Sequence, residues 1–88
     1  MLYQRIEFTK SFEKQFKVLK PSQKNRFYER LEIFKKNPYE KVLRDHALKG
    51  KYLGYRSIDI SGDIRALYMI KGDTIIIFGF IGSHSQLY

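Results

Sequence analysis

Hydrophobic residues near the start of the chain follow two different periods. Residues 3–8 alternate between polar and apolar side chains, a pattern that predicts a short strand. From Thr9 the period lengthens, and Phe12, Phe16 and Leu19 fall on one side of a helical turn. Thr9 is a good N-cap residue because its hydroxyl can accept a hydrogen bond from the first turn. The pattern predicts a strand followed by an amphipathic helix.

A second helix is predicted directly after the first. Pro21 suits the first position of a helix, where its missing N–H costs nothing. Apolar residues then recur at helical spacing at Phe27, Leu31 and Phe34. Asn37 precedes Pro38 and ends this helix, because a residue before proline avoids helical dihedral angles. The connection between the two helices is short, which favours an antiparallel helical hairpin.

The last third of the chain has the period of strands. Residues 55–60, 64–70 and 74–81 are predicted strands, and the third is apolar at almost every position, as expected inside a sheet. Turn sequences at 61–63 and 71–73 separate them. The sequence therefore predicts an α+β fold. It consists of a short N-terminal strand, a two-helix antiparallel hairpin and a three-stranded antiparallel meander, with the helices packed on one face.

Length and composition narrow the class of protein. The 88 residues suffice for one domain, predicted over residues 1–88, and 43% hydrophobic residues can fill one modest core. The chain has no cysteine, which excludes disulfide scaffolds and thiol chemistry. No apolar run has the roughly 20 residues that span a bilayer, and the first residues lack a signal-peptide pattern. We therefore expect a cytoplasmic protein without a membrane partner.

Charge is unevenly distributed along the chain. Its net charge of +8 lies in residues 1–53, which hold 14 basic and 6 acidic residues, whereas residues 54–88 hold three of each. Such a field attracts polyanions and acidic proteins, and nucleic acid is the first candidate partner. A solvated lysine-rich surface would have the same composition.

Few side chains can carry chemistry. The two histidines, His46 and His84, lie outside the periodic segments in predicted loops, and imidazole titrates near neutral pH. No metal-binding spacing, nucleophile elbow or glycine-rich phosphate loop is present, so no metal or cofactor is predicted. RNA cleavage needs none, because the 2′-hydroxyl of RNA is the nucleophile and the enzyme supplies acid, base and cations.

Residue types suited to RNA cleavage cluster in the second half of the chain. The acid–base and cationic candidates are His46, His84, Asp63, Arg56, Arg65, Lys49 and Lys51, with Tyr55 and Tyr88 available to stack on bases. Structural roles compete with these assignments. Arg65 is expected to pair with Asp59 across a hairpin, Asp63 suits a turn, and Tyr68 suits the core.

Four motifs together resemble a known family. They are Asp45-His46-Ala47-Leu48-Lys49-Gly50, Gly54-Tyr55-Arg56-Ser57, Gly62-Asp63-Ile64-Arg65-Ala66-Leu67-Tyr68 and Ile81-Gly82-Ser83-His84-Ser85-Gln86-Leu87-Tyr88. In these motifs, and in length and element order, the chain resembles the YafQ-like branch of the RelE/ParE toxin superfamily. The resemblance implies a type II toxin that cuts messenger RNA on the ribosome, without a metal, and is neutralised by an acidic antitoxin. Operator DNA would be reached through the antitoxin complex.

The resemblance also assigns roles to positions. His46 and His84 match the two catalytic histidines of the family, Asp63 its catalytic aspartate, Tyr88 a terminal aromatic residue and Arg56 a basic strand position.

The chain departs from the family pattern at three positions. Asp59 replaces a histidine, Ile64 a tryptophan, and Phe80 an arginine for which Arg65 could substitute. Two alternatives follow: a ParE-like toxin that inhibits gyrase by binding, and a weakly catalytic member that binds antitoxin or operator DNA.

Overall fold

The structure, a computed structural model, describes residues 5–88 and has the predicted α+β architecture. The strands in this range are β1 (Arg5–Phe8), β2 (His46–Ala47), β3 (Arg56–Asp59), β4 (Ile64–Lys71) and β5 (Ile75–Ser83). The α-helices are α1 (Lys10–Lys17), α2 (Pro21–Lys36) and α3 (His84–Leu87), with short 3₁₀ turns at Lys41–Leu43 and Gly50–Tyr52. Tyr3 and Gln4, placed in the first strand by the sequence pattern, lie outside the described residues.

Local sequence signals explain where the two longer helices begin and end. The Thr9 hydroxyl accepts a hydrogen bond from the Phe12 amide at 3.0 Å and donates one to the Gly79 carbonyl at 2.8 Å. It therefore caps α1 and also ties this helix to β5. Pro21 is the first residue of α2, and Asn37 is its C-cap, as predicted.

The strands form one five-stranded sheet in the order β1-β5-β4-β3-β2. Strands β3, β4 and β5 make the predicted antiparallel meander, and β1 pairs in parallel with β5. The sequence did not predict β2, which pairs with the start of β3. Its two residues are too few to display an alternating pattern, so the prediction that His46 lies in a loop is wrong for that reason.

The main core lies between the helices and one face of the sheet. Phe12 of α1 and Phe27 of α2 both contact Phe78 of β5, with ring centroids 5.9 and 5.6 Å apart. Phe34 reaches the same ring and also Tyr68 of β4, which is buried as predicted. Both helices therefore pack on one face of the sheet and leave the other face for the C-terminal segment.

A smaller cluster of side chains covers the opposite face. Leu87 of α3 is 1% exposed, and the Tyr52 hydroxyl donates a hydrogen bond to its carbonyl at 2.7 Å. Tyr52 also contacts Phe80 and Tyr88, with centroids 5.4 Å apart in both pairs. These contacts hold the end of the chain against the sheet near β2. None of the helices in residues 5–88 has the length and apolar composition needed to cross a bilayer.

Candidate active site

A cleft of about 350 Å³ lies where β2, β4 and α3 meet. Four of its lining residues were predicted from the sequence as site residues, and two were not. The first set is His46, Arg65, His84 and Tyr88, and the second is Arg44 and Leu48. The two histidines of the chain therefore share one cleft, although they lie far apart in sequence.

The orientation of His46 depends on the backbone just before it. Arg44 has a left-handed conformation (φ 48°, ψ 44°), which is uncommon for a residue other than glycine. Its carbonyl lies 2.8 Å from Nδ1 of His46. A carbonyl can only accept a hydrogen bond, so Nδ1 carries the proton. In the neutral imidazole, Nε2 is then the nitrogen that can accept a proton.

A polar network anchors the segment that carries His46. The carboxylate of Asp45 is 1% exposed and accepts hydrogen bonds from Arg56 Nε at 2.7 Å and from the hydroxyl of Tyr68. The bond to Asp45 raises the pKa of Arg56, although partial burial opposes this shift. Burial, followed by the bond to Asp45, raises the pKa of Tyr68 well above its usual value. Strands β3 and β4 thus hold Asp45, and with it His46, at the rim of the cleft.

His84 is the first residue of α3, a four-residue helical turn that the sequence pattern was too short to reveal. Ser83 and Gln86 form a capping box. The Ser83 amide donates to Gln86 Oε1 at 2.8 Å, and the Gln86 amide donates to Ser83 Oγ at 3.2 Å. The His84 ring packs against that of Tyr88, with centroids 4.7 Å apart and ring planes tilted by 36°. The expected loop at His84 is therefore a capped turn that fixes the imidazole beside an aromatic ring.

Two arginines supply positive charge to the cleft. Arg65 lies directly opposite Asp59 across β3 and β4, and its Nη1 donates to Asp59 Oδ1, as predicted. The other oxygen, Oδ2, lies 3.6 Å from Nε of Arg44. Burial raises the pKa of the Tyr88 phenol, and Arg65 partly offsets this shift by favouring the phenolate. The cleft is therefore cationic on the side that faces Tyr88.

Other selected residues lie outside this cleft. Asp63 is exposed in the turn between β3 and β4 and lines a separate cavity of about 490 Å³ beside α1. Arg56 bonds to Asp45 as described and lines a third cavity with Tyr55. Tyr55 packs against Phe80, with ring centroids 5.6 Å apart. Lys49 and Lys51 are exposed on the connection between β2 and β3.

Besides Leu48, three residues that were not assigned a role from sequence contribute to the site. Arg44 lines the cleft, Asp45 anchors His46, and Tyr52 holds α3 in place. Asp45 is the first residue of one of the four family motifs, and this position could have indicated its role. The left-handed backbone at Arg44 and the contact from Tyr52 to Leu87 have no signature in a single sequence.

Comparison with known proteins identifies the family. The family model for the bacterial toxin of type II toxin–antitoxin systems, YafQ, matches residues 4–88. The chain belongs to the YafQ toxin family. The resemblance seen in the sequence motifs is thereby confirmed, and the molecule is a type II toxin. No curated protein matches the chain in sequence.

Solved structures agree with this assignment. YafQ from E. coli strain BL21(DE3) is 27% identical over 97% of this toxin and 99% of that chain, with a TM-score of 0.81. A conserved hypothetical protein from Helicobacter pylori is 34% identical over 100% of both chains, with a TM-score of 0.72. A chain of the E. coli DinJ–YafQ complex is 29% identical over 97% of this toxin and 99% of that chain, with a TM-score of 0.74. The RelE-like fold predicted from sequence is confirmed.

Proposed function

We propose that this toxin is a ribosome-dependent endoribonuclease that cuts messenger RNA by attack of the 2′-hydroxyl on the adjacent phosphate. The observation that carries the proposal is the convergence of His46, His84 and Arg65 in one cleft. Cleavage of this kind needs a base, an acid and positive charge, and this cleft contains a residue of each type. A toxin that acted by binding gyrase would have no use for two imidazoles in one cleft.

In the proposed step, His46 is the base and His84 is the acid. Nε2 of His46 takes the proton of the 2′-hydroxyl, and the 2′-oxygen forms a bond to phosphorus. The bond from phosphorus to the 5′-oxygen breaks, and the His84 imidazolium gives its proton to that oxygen. The products are a 2′,3′-cyclic phosphate end and a 5′-hydroxyl end.

The hydrogen bond of His46 favours it over Asp63 as the base. The sequence left both residues open for this role. Nδ1 of His46 faces the Arg44 carbonyl, so Nε2 is available to accept the proton, and the ring lines the cleft that contains His84. Asp63 lines a different cavity. We therefore assign the base to His46 and give Asp63 no part in the proton transfers.

Arg65 would stabilise the charge that develops on the phosphate. The resemblance implied an arginine at the position of Phe80. Leu67 pairs with Phe80 across β4 and β5, and Arg65 lies two residues earlier on the same face of β4. Arg65 therefore lies diagonally across from Phe80 and can supply the missing cation. A preorganised charge of this kind contributes several kcal/mol to stabilisation of the transition state.

Neighbouring residues would bind the rest of the message. Tyr88 is 47% exposed and lines the cleft, which leaves ring surface available to stack on a base. Lys49 and Lys51 project from the connection next to β2 and would follow the phosphate backbone. Arg56 would act through Asp45 on the position of His46 rather than on RNA. Tyr55, packed on Phe80, would contribute mainly to the shape of the neighbouring surface.

The partners in this proposal are the ribosome with its message and an acidic antitoxin. The net charge of +8 suits both ribosomal RNA and an acidic protein. An E. coli YafQ chain that resembles this toxin was solved in complex with DinJ, which supports an antitoxin partner here. Operator DNA would be bound through the toxin–antitoxin complex. A toxin that cuts messages on the ribosome would act in the cytoplasm.

Single-turnover cleavage of a message on programmed ribosomes tests the proposal. His84→Gln keeps the size and hydrogen bonding of the side chain but cannot transfer a proton. We expect cleavage to slow by about 10²–10⁴-fold, with ribosome binding and thermal melting unchanged. Lys71→Gln is the matched control because Lys71 is exposed at the far end of β4, and it should cut at the parental rate.

Two results would contradict the proposal. One is a parental protein that leaves translated messages intact while causing DNA damage, which would favour the gyrase-inhibiting alternative. The other is a His84→Gln protein that melts normally and cuts at the parental rate, which would remove His84 from the mechanism.

A further inference from the structure

Asp59 lies behind the cleft rather than in it. Its side chain is 20% exposed and does not line the cleft, yet both of its oxygens face arginines that do. Oδ1 accepts from Arg65, and Oδ2 lies 3.6 Å from Arg44. A single carboxylate therefore joins an arginine on β4 to an arginine in the segment before β2.

A carboxylate at this place has an electrostatic cost. The proposed substrate is a phosphodiester, and a nearby negative charge repels it. Asp59 lowers the net charge around the two arginines from +2 to +1. If it were only a neighbouring charge, removing it would strengthen RNA binding. This carboxylate favours the proposed cleavage only if holding the arginines in place contributes more than the attraction that is lost.

The two arginines differ in how much support they need. The Arg65 side chain is 25% exposed and lies within the sheet, whereas that of Arg44 is 74% exposed. A long side chain with that exposure samples many rotamers unless a partner restrains it. Each contact to Asp59 involves one nitrogen, and a guanidinium carries five N–H donors. Both arginines therefore keep donors for a phosphate while Asp59 limits their motion.

We propose that Asp59 is a positioning residue that holds Arg44 and Arg65 as a pair of arms around one phosphate of the RNA. This inference rests on the proposed function and adds Arg44 as a second phosphate-binding cation. Arg65 supplies the inner, preorganised arm next to Tyr88, and Arg44 supplies the outer arm next to His46. Paired guanidinium groups suit the two-pronged recognition of phosphate oxygens.

Asp59→Asn separates this proposal from a simple charge effect. The proposal predicts a lower kcat for message cleavage, whereas a charge effect alone predicts a kcat that is unchanged or higher. The variant keeps the shape but releases both arginines and raises the local charge by one. We expect kcat for message cleavage to fall by about 10²-fold, since small misplacements of catalytic groups have effects of that size. KM should stay the same or fall. Asp59→Glu, which restores the carboxylate, should recover part of kcat.

Glu7→Gln is the matched control. Glu7 also pairs with an arginine, Arg5, but on β1, at the opposite edge of the sheet. The substitution changes net charge equally and should leave kcat unchanged. An Asp59→Asn protein with parental or higher kcat would overturn the proposal, because Asp59 would then be only a repulsive neighbour.

A second measurement does not depend on cleavage. Inorganic phosphate is titrated into the toxin while NMR follows the Nε–Hε signals of Arg44 and Arg65. In the parental protein both signals should shift with one common dissociation constant, and both should report restricted motion. In Asp59→Asn the motion of both should increase, most at the exposed Arg44, and the two signals should give separate dissociation constants. Signals that stay equally rigid without the carboxylate would contradict the proposal.

The two measurements distinguish failure of this inference from failure of the proposed function. Suppose that the parental toxin cuts no message, but phosphate shifts the signals of both arginines together only when Asp59 is present. The arginine pair is then supported, and the proposed nuclease activity is refuted. If the toxin cuts messages and Asp59→Asn changes neither kcat nor the arginine signals, the nuclease activity is supported and the arginine pair is refuted. Should Asp59→Asn fail to fold, Arg44→Gln replaces it as the test. Loss of one charged hydrogen bond to phosphate is expected to weaken phosphate binding at Arg65 by at least about tenfold. Unchanged binding would overturn the inference.

Discussion

The Asp45 network offers the sharpest test of how the fold holds the candidate site. Asp45→Asn preserves the shape of a side chain that is 1% exposed but removes its charge and one acceptor. The parental carboxylate accepts from Arg56 and from the Tyr68 hydroxyl, and Tyr68 is 1% exposed. Because the two donors face different oxygens of Asp45, the asparagine would present its NH2 group, itself a donor, to one of them. A buried donor would then be left poorly paired.

The expected loss of stability follows from these bonds. Hydrogen bonds to charged groups contribute about 1.5–3 kcal/mol each, and a buried unsatisfied group costs a similar amount. We expect Asp45→Asn to lower the free energy of unfolding by about 2 kcal/mol. For a domain of this length, 1 kcal/mol corresponds to about 4–8 °C in Tm. The melting temperature should therefore fall by about 8–16 °C.

Thermal melting followed by circular dichroism measures this change. Glu32→Gln is the matched control, since Glu32 pairs with Lys35 on the exposed surface of α2 and such pairs contribute about 0–1 kcal/mol. Tyr68→Phe, alone and with Asp45→Asn, completes a double-mutant cycle in which groups in contact should show a coupling of about 0.5–3 kcal/mol. An Asp45→Asn protein that melts within about 2 °C of the parent, or a cycle without coupling, would refute the reasoning.

Two further predictions concern residues of the sheet, Tyr68 on β4 and Gly79 on β5. Because burial and Asp45 raise the pKa of Tyr68, the folded protein keeps a proton that the unfolded chain loses above its usual tyrosine pKa of about 10. The contribution of Tyr68 to stability should therefore be fully present below pH 10 and fall above it. Urea unfolding at pH 9–11 measures this slope, and Tyr68→Phe should remove up to about 1.4 kcal/mol per pH unit from it. A slope that is unchanged in Tyr68→Phe would contradict the prediction. A Cβ at Gly79 would lie 2.8 Å from the ring of Tyr55, so Gly79→Ala should lower the free energy of unfolding by about 1–3 kcal/mol, measured by chemical denaturation. Gly62→Ala, with open space around its Cβ, is the near-neutral control.

Most of the fold could be read from local patterns, because helices and strands impose different periods on their buried residues. Phe27, Leu31 and Phe34 recur at helical spacing, and all three are buried in α2. Thr9 and Pro21 mark helix starts through effects that act within one turn. The pairing of Arg65 with Asp59 was also predictable, since a short turn between adjacent strands sets their register. The family followed from four motifs that lie between residues 45 and 88.

The arrangement of the candidate site could not be read in this way, because it depends on contacts between segments distant in sequence. Residue type selected His46 and His84, and the motif resemblance assigned them catalytic roles. Their shared cleft, however, requires β2 to pair with β3 and α3 to pack against Tyr52. Elements of two and four residues are too short to show a hydrophobic period, so periodicity does not predict them. The left-handed backbone at Arg44 is set by its surroundings rather than by arginine itself, and no side-chain preference predicts it. Tertiary packing alone placed Asp63 and Arg56 outside the cleft and Arg44 inside it, because side-chain position there follows from how strand ends and turns meet across the sheet.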